Sequence, residues 1–347
     1  MHYWRECFQK LRDGDGFLSA LISFILVLVV TGLSFAGGEI SSSRFLLSVI
    51  FPYAAMAIFL TGLVYRVLKW ANSPVPFHIP TTCGQQKTLP WIKSSWIESP
   101  HTRLGVVTRM ALEILFFRSL FRNSRAQLRE GPRLLYAENK GLWLAALAFH
   151  WSMLVIVLRH LRFFVVPVPR FILGMDAVDG FFQVGAPQLL LTDVVIVVAL
   201  LYLLQRRFAN PQVRYISMVS DYLALFLLLG IAVSGILMRY FFKVDLEGVK
   251  QLAVGLVTFS PTVPASVSAL FFVHLTLVSL LLAYFPFSKL VHMGGVFLSP
   301  TRNLANSSRR VRHVNPWDYP VKVHTYQEWE EEFHDKIKAA GLPLERE

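Results

Sequence analysis

Six apolar runs, each long enough to cross a bilayer, set the terms on which this 347-residue chain can fold. A hydrocarbon core of about 30 Å needs roughly 20 residues of helix. Runs of that length cover approximately 17–36, 45–65, 142–165, 188–204, 220–238 and 266–287. Lipid offers the backbone no hydrogen-bonding partner, so only helices or closed barrels can span it, and long apolar runs without strand-like alternation are helices. The expected fold class is all-α, a polytopic membrane helix bundle with about six transmembrane helices. Charged residues make up only 16% of the chain and mean hydropathy is +0.49, which excludes a disordered chain and argues against a soluble enzyme.

The basic residues set the expected orientation. With six spans, the N-terminus, the 66–141 segment, the 205–219 loop and the C-terminal tail share one side and hold 27 of the 34 Lys and Arg residues. By the positive-inside rule that side is cytoplasmic, both termini included. The chain is thus expected as a multi-pass protein of the inner, cytoplasmic membrane, and its +12 charge reports topology rather than nucleic acid. Arg5, Lys10 and Arg12 before the first run leave a secretory signal peptide as the alternative reading of that run. Its apolar core exceeds the 7–15 residues usual in such peptides and no A-x-A site is evident, so a retained helix is expected.

These runs give an N-terminal pair of transmembrane helices over 1–69, a cytoplasmic segment over 70–141, a four-helix region over 142–293 and a cytoplasmic tail over 294–347. Within the segment, 103–122 places Arg103, Arg109, Arg118 and Arg122 along an apolar helical pattern. Such a helix lies in the membrane interface, or is buried against the bundle or a partner. In the tail, Tyr326, Trp329, Phe333 and Ile337 fall on one helical face, to be covered by a partner protein or by the chain's own 70–141 segment.

Four of the ten histidines stand apart by position: His150 and His160 in the third run, His274 in the sixth, and His292 just beyond it. An ionisable side chain at membrane depth is costly and marks a functional site, and neutral imidazole is an axial ligand for haem iron. His274 and His292 are 18 residues apart, five full helical turns and about 27 Å of rise; His150 and His160 are 10 apart, about 15 Å of rise. In antiparallel helices this pairs His150 with His292 toward the cytoplasm and His160 with His274 toward the outside. All four are therefore expected as iron ligands, binding two haem b. The unequal rises call for tilt, unequal reach or a bend at Pro286. The two cysteines, Cys7 and Cys83, are too few for an iron–sulfur site, which assigns any such cluster to a partner. The other six histidines, outside the spans, read as solvated or interface residues.

Separations of 10 and 18 differ from the nearly equal spacing of bc-type cytochromes b and resemble the nitrate reductase gamma-subunit (NarI-like) family of dihaem cytochromes b. That resemblance covers roughly 140–295. Two further stretches, 74–93 (PVPFHIPTTCGQQKTLPWIK) and 110–122 (MALEILFFRSLFR), resemble the DsrM family, membrane cytochrome b subunits of the Dsr complex in sulfur-metabolising prokaryotes. The resemblance implies electron exchange between membrane quinone, usually menaquinone, and a cytoplasmic iron–sulfur subunit of the DsrK type, with further complex subunits. It leaves Cys83 as either a redox or partner contact or an ordinary packed cysteine. A heterodisulfide or nitrate reductase anchor, and a haem-free anchor or transporter, are the alternative readings. No arrangement for hydrolysis or nucleotide binding stands out, so the chain is not expected to be a complete enzyme alone. A quinone pocket is expected at the outer pair, where Arg159, Arg162, Arg170, Asp176 and Asp179 are the nearby polar candidates for a quinone carbonyl or its proton path, with haem propionate pairing or snorkelling as the other reading of the arginines and none of the five assigned to the site.

Overall fold

A computed structural model of the chain describes residues 16–73, 95–122, 125–129, 133–180, 188–305 and 323–345. The 74–93 signature, both cysteines, His2, His78 and His313 lie outside the described residues. The chain forms two compact units, Met1–Trp70 with Val107–Ser299, and Ala71–Val106 with Pro300–Glu347.

Among the described residues, the first unit holds five helices long and apolar enough to cross a membrane. These are α1 (Gly16–Glu39), α2 (Ser41–Ala71, with a π turn at Leu46–Ile50), α5 (Lys140–His160, extended by a 3-10 turn to Phe163), α9 (Val219–Ile236, continued by a π turn over Leu237–Phe241) and α11 (Ala269–Tyr284). Where a sixth span was expected, α7 runs over Leu191–Ala209. It carries Asp193 in its first turn and Arg206 and Arg207 in its last, leaving only Val194–Gln205 uncharged. Shorter helices are α3 (Arg103–Phe116), α4 (Arg118–Phe121), α6 (Arg170–Asp179), α8 (Pro211–Ile216), α10 (Leu246–Val257) and α12 (His292–Leu298). A two-stranded antiparallel hairpin, β1 (Arg125–Arg129) with β2 (Arg133–Ala137), was not foreseen; its register pairs Arg125 with Ala137.

Small residues let the helices close. The buried face of α1 is Gly16, Ala20, Ser23, Val27, Ser34 and Gly38, a helical-period stripe on which α9 and α11 seat. Without a hydrophobic drive between helices in lipid, such close approach supplies the packing. Val27, Leu227, Val273 and Leu277 form the core of this triad. Ile196, Leu200, Leu225 and Leu228 lock α7 to α9, and α7 also packs along α5. Exposed Leu21, Ile25, Leu28, Leu154 and Val198 form the face such a bundle turns to lipid.

Asn139 starts α5, its side-chain oxygen accepting from the Leu142 amide at 3.1 Å. The end of α3 and the turn after it close onto α5: Trp143 Nε1 donates to the Phe116 carbonyl at 2.7 Å and Trp151 Nε1 to that of Leu115 at 3.1 Å. These two bonds tie the C-terminal end of α3 to α5, yet Ile114, Leu115 and Phe116 remain exposed there, as do Leu104 and Val107.

In the second unit, α14 (Tyr326–Ala339) follows α13 (Pro300–Asn303). Thr325 and Glu328 cap it reciprocally, the Thr325 hydroxyl accepting from the Glu328 amide at 3.3 Å and the Glu328 carboxylate from the Thr325 amide at 2.9 Å. The expected stripe is present. Ile337 is buried within the unit, whereas Tyr326 and Trp329 are exposed.

Candidate functional site

The structure brings the four singled-out histidines together as two pairs. His150 on α5 faces His292, the first residue of α12, with ring centres 5.9 Å apart; His160, at the end of α5, faces His274 on α11 at 6.3 Å. The His160–His274 pair thus links α5 to α11, and the His150–His292 pair links α5 to α12.

The segment from Tyr284 to His292 is where helical periodicity alone misleads. A single helix from His274 to His292 was expected, with the two rings on one face. Instead α11 stops at Tyr284, and two 3-10 turns, Phe285–Phe287 and Lys289–Val291, precede α12. Pro286 lacks an amide hydrogen and ends the helical ladder, and the Ser288 hydroxyl restarts it by accepting from the Leu290 amide at 3.1 Å. The break reconciles the unequal separations by freeing the position of His292 from the axis of α11. Three bonds then fix it. Arg66 on α2 donates to the Pro286 carbonyl at 2.9 Å, Tyr284 to the Ser220 carbonyl at 3.0 Å, and Lys289 pairs with the buried Asp221 at 2.9 Å.

The proton positions follow from the partners. His150 Nδ1 lies 2.7 Å from the Ala146 carbonyl, His160 Nδ1 2.7 Å from that of Ile156, and His292 Nδ1 2.9 Å from that of Lys289. A carbonyl only accepts, so each Nδ1 carries hydrogen and each Nε2 keeps its lone pair. His274 Nδ1 meets the Ser234 hydroxyl at 2.9 Å, and that hydroxyl donates to the Ile231 carbonyl at 3.0 Å, so it too accepts from Nδ1. All four rings therefore hold the same tautomer, assigned from these partners.

Such a donor set fits an iron with two axial imidazoles. A metal–imidazole bond of about 2 Å, with the nitrogen about 1.2 Å from the ring centre, puts two ring centres roughly 6.4 Å apart. Both observed separations lie near that value. A ligating histidine commonly spends its second nitrogen on a hydrogen bond that fixes its orientation, as all four do here.

Beside His160, the polar residues singled out in the sequence are bound largely to one another. Arg159 pairs with Asp176 at 2.9 Å and with Asp179 at 2.6 Å, Arg162 also pairs with Asp176, and Asp179 accepts from the Thr192 amide at 2.8 Å. Arg170 stands outside this network. Sequence reasoning missed two contributors and read a third, Ser234, with Gly230 and Gly235, only as a small residue allowing close helix or macrocycle approach. Phe117, held at φ 50°, sets its ring edge-on to His150 at 4.9 Å. Ser234 holds His274. Tyr240, on the π turn of α9, donates to Asp193 at 2.8 Å. Of these signals, the small-residue run around Ser234 was visible in the sequence, without a partner to assign it.

Helices that span a membrane and pair histidines across the space between them define a cytochrome b-like multi-pass membrane protein. Residues 104–313 match the nitrate reductase gamma subunit family, and the chain belongs to it. It is 47% identical over 277 residues to the Hdr-like menaquinol oxidoreductase cytochrome b-like subunit of Archaeoglobus fulgidus, covering 78% of this chain and 82% of that protein. The protein of the same description from Archaeoglobus profundus is 46% identical over 274 residues, 77% of this chain and 81% of that one.

Proposed function

We propose that this chain is a dihaem b electron-transfer subunit that exchanges electrons between menaquinone or menaquinol and a cytoplasmic iron–sulfur partner in dissimilatory sulfur metabolism. The observation that carries this reading is the pair of facing histidine pairs, each with Nε2 free and a separation suited to one iron. His150 and His292 would hold one haem b, His160 and His274 the other. A haem b supplies one-electron carriage, which divides the two electrons of a quinol into single steps. The chain's own residues orient the imidazoles through Nδ1, raise their basicity and place two carriers between opposite ends of the bundle.

The names of the Archaeoglobus relatives support menaquinol as the membrane substrate and a heterodisulfide-reductase-like assembly around the subunit. The resemblance of 74–93 and 110–122 to the DsrM family points to a DsrK-like iron–sulfur subunit as the partner within that class. A nitrate reductase anchor is the second reading, favoured by the family match.

Haem stoichiometry and location are tested on the purified full-length protein by a pyridine haemochrome assay and a redox titration. Two b haems per chain are expected. His160→Ala or His274→Ala should remove one, and His150→Ala or His292→Ala the other. A protein without b-type absorption, or variants that leave both haems in place, would overturn the ligand assignment. Isolation of the intact complex from native membranes, with identification of its subunits, tests the partner; co-purification of a nitrate reductase catalytic subunit would replace the sulfur reading.

A further inference from the structure

We infer that Ser234 is the positioning residue that holds the His274 ring parallel to that of His160 and thereby sets the character of the His160–His274 site. This rests on the reading of the pairs as haem ligands. The rings of His160 and His274 are nearly parallel, with 11° between their planes, whereas those of His150 and His292 stand at 82°. The orientations have distinct anchors. His150, His160 and His292 are each held by a carbonyl three or four residues back on their own chain, so their rings turn with their own backbone. His274 is held instead from the neighbouring helix, by Ser234 on α9, whose hydroxyl hydrogen is already committed to the Ile231 carbonyl.

The angle between axial imidazole planes matters because imidazole donates π density perpendicular to its ring. Parallel rings act on the same iron d orbital, raise it above its partner and give the hole of the oxidised iron a defined place, which stabilises the oxidised state. Perpendicular rings act on two different d orbitals and leave them nearly degenerate. The perpendicular His150–His292 site therefore has the higher midpoint potential from this cause and a highly anisotropic low-spin ferric resonance. The parallel His160–His274 site has the lower potential and a rhombic resonance. All four histidines donate from Nδ1, so the bond to Ser234 sets this site apart through the orientation it gives the His274 ring.

Electron paramagnetic resonance of the oxidised full-length protein, with a parallel potentiometric titration, tests the inference. The native protein should show one highly anisotropic and one rhombic low-spin signal; two signals of the same kind would overturn it. Ser234→Ala should move the rhombic signal toward greater anisotropy and raise only the lower midpoint. A threefold loss of preference for oxidised iron would read as about 28 mV, at 59 mV per tenfold for one electron. Ser234→Thr, which keeps the hydroxyl, should retain the native signal. An alanine variant whose rhombic signal and lower midpoint are both unchanged would refute the role of Ser234. If that variant sheds the haem, the threonine variant decides, a retained rhombic signal supporting the role and a lost one refuting it. Absence of haem from the native protein would instead remove the ligand assignment on which the inference stands.

Discussion

Asp179 is 4% exposed and sits against an Arg159 side chain that is 11% exposed, so their ion pair is largely removed from solvent. Desolvating both charges is expensive, and removing Asp179 would leave Arg159 with Asp176 alone and the Thr192 amide without its acceptor. Asp179→Ala should therefore destabilise the bundle by roughly 3 kcal/mol, read as a lowered midpoint of thermal unfolding in detergent; an unchanged midpoint would show that water reaches Arg159. Proximity to His160 made Arg159 and Asp179 visible in the sequence as polar residues at membrane depth. Their mutual pairing was not visible, because α6 must fold back before positions 20 residues apart can meet. Phe117 shows the same limit. Nothing in the local pattern around it signals the left-handed backbone, which costs an L residue roughly 1–2 kcal/mol, yet that turn aims its ring at His150.

Among the elements, the break between α11 and α12 governs one histidine pair, and α2 supports it from outside. A Cβ on Gly62 would lie 2.8 Å from Pro286 Cβ and 2.9 Å from its Cγ, closer than packed carbon atoms approach. Gly62→Val should push the proline turn away and shift His292 relative to His150, while α11 above the break keeps His274 in place. The expected readout is reduced haem content with loss of the His150–His292 site first; equal loss from both sites would mean that the whole bundle had opened. Pro286 was legible as a bend, but the two 3-10 turns and the close approach of Gly62 depend on tertiary contact. A second element carries a pH response. Asp245 caps α10, accepting from the Ser266 hydroxyl at 2.5 Å and the Glu247 amide at 3.1 Å, and the Ser266 bond foremost holds its carboxyl below the ordinary aspartate value of 3.8. A depressed folded-state pKa stabilises above that ordinary value, and the contribution is lost as pH falls through the lower, folded one. Ser266→Ala should move the carboxylate titration upward, as read by infrared difference spectroscopy, and an unmoved titration would show that the backbone amides alone hold the charge.

At the scale of the molecule, apolar run length located every long helix, because covering a bilayer is a constraint that sequence expresses directly. The helices begin and end within a few residues of the expected runs, except that α2 extends to Ala71 and α7 to Ala209, where interfacial Lys69, Arg206 and Arg207 continue the helical ladder past the apolar stretch. The number of crossings is the point at which this economy ends. The uncharged part of α7, twelve residues between Asp193 and Arg206, spans only about 18 Å of helix. Its packing along α5 and α9 nevertheless makes it a member of the bundle, and a crossing then uses the charged turns at both ends. Arg206, Arg207 and Arg214 at its far end obey the positive-inside bias only if it crosses. We therefore expect accessibility probes at residue 210, in the 95–102 stretch and at the C-terminus to report the same side of the membrane. A probe at residue 243 should report the opposite side. If residue 210 reports the side opposite the 95–102 stretch, α7 does not cross, the termini lie on opposite sides, and the assignment of the His150–His292 pair to the cytoplasmic end must be made anew.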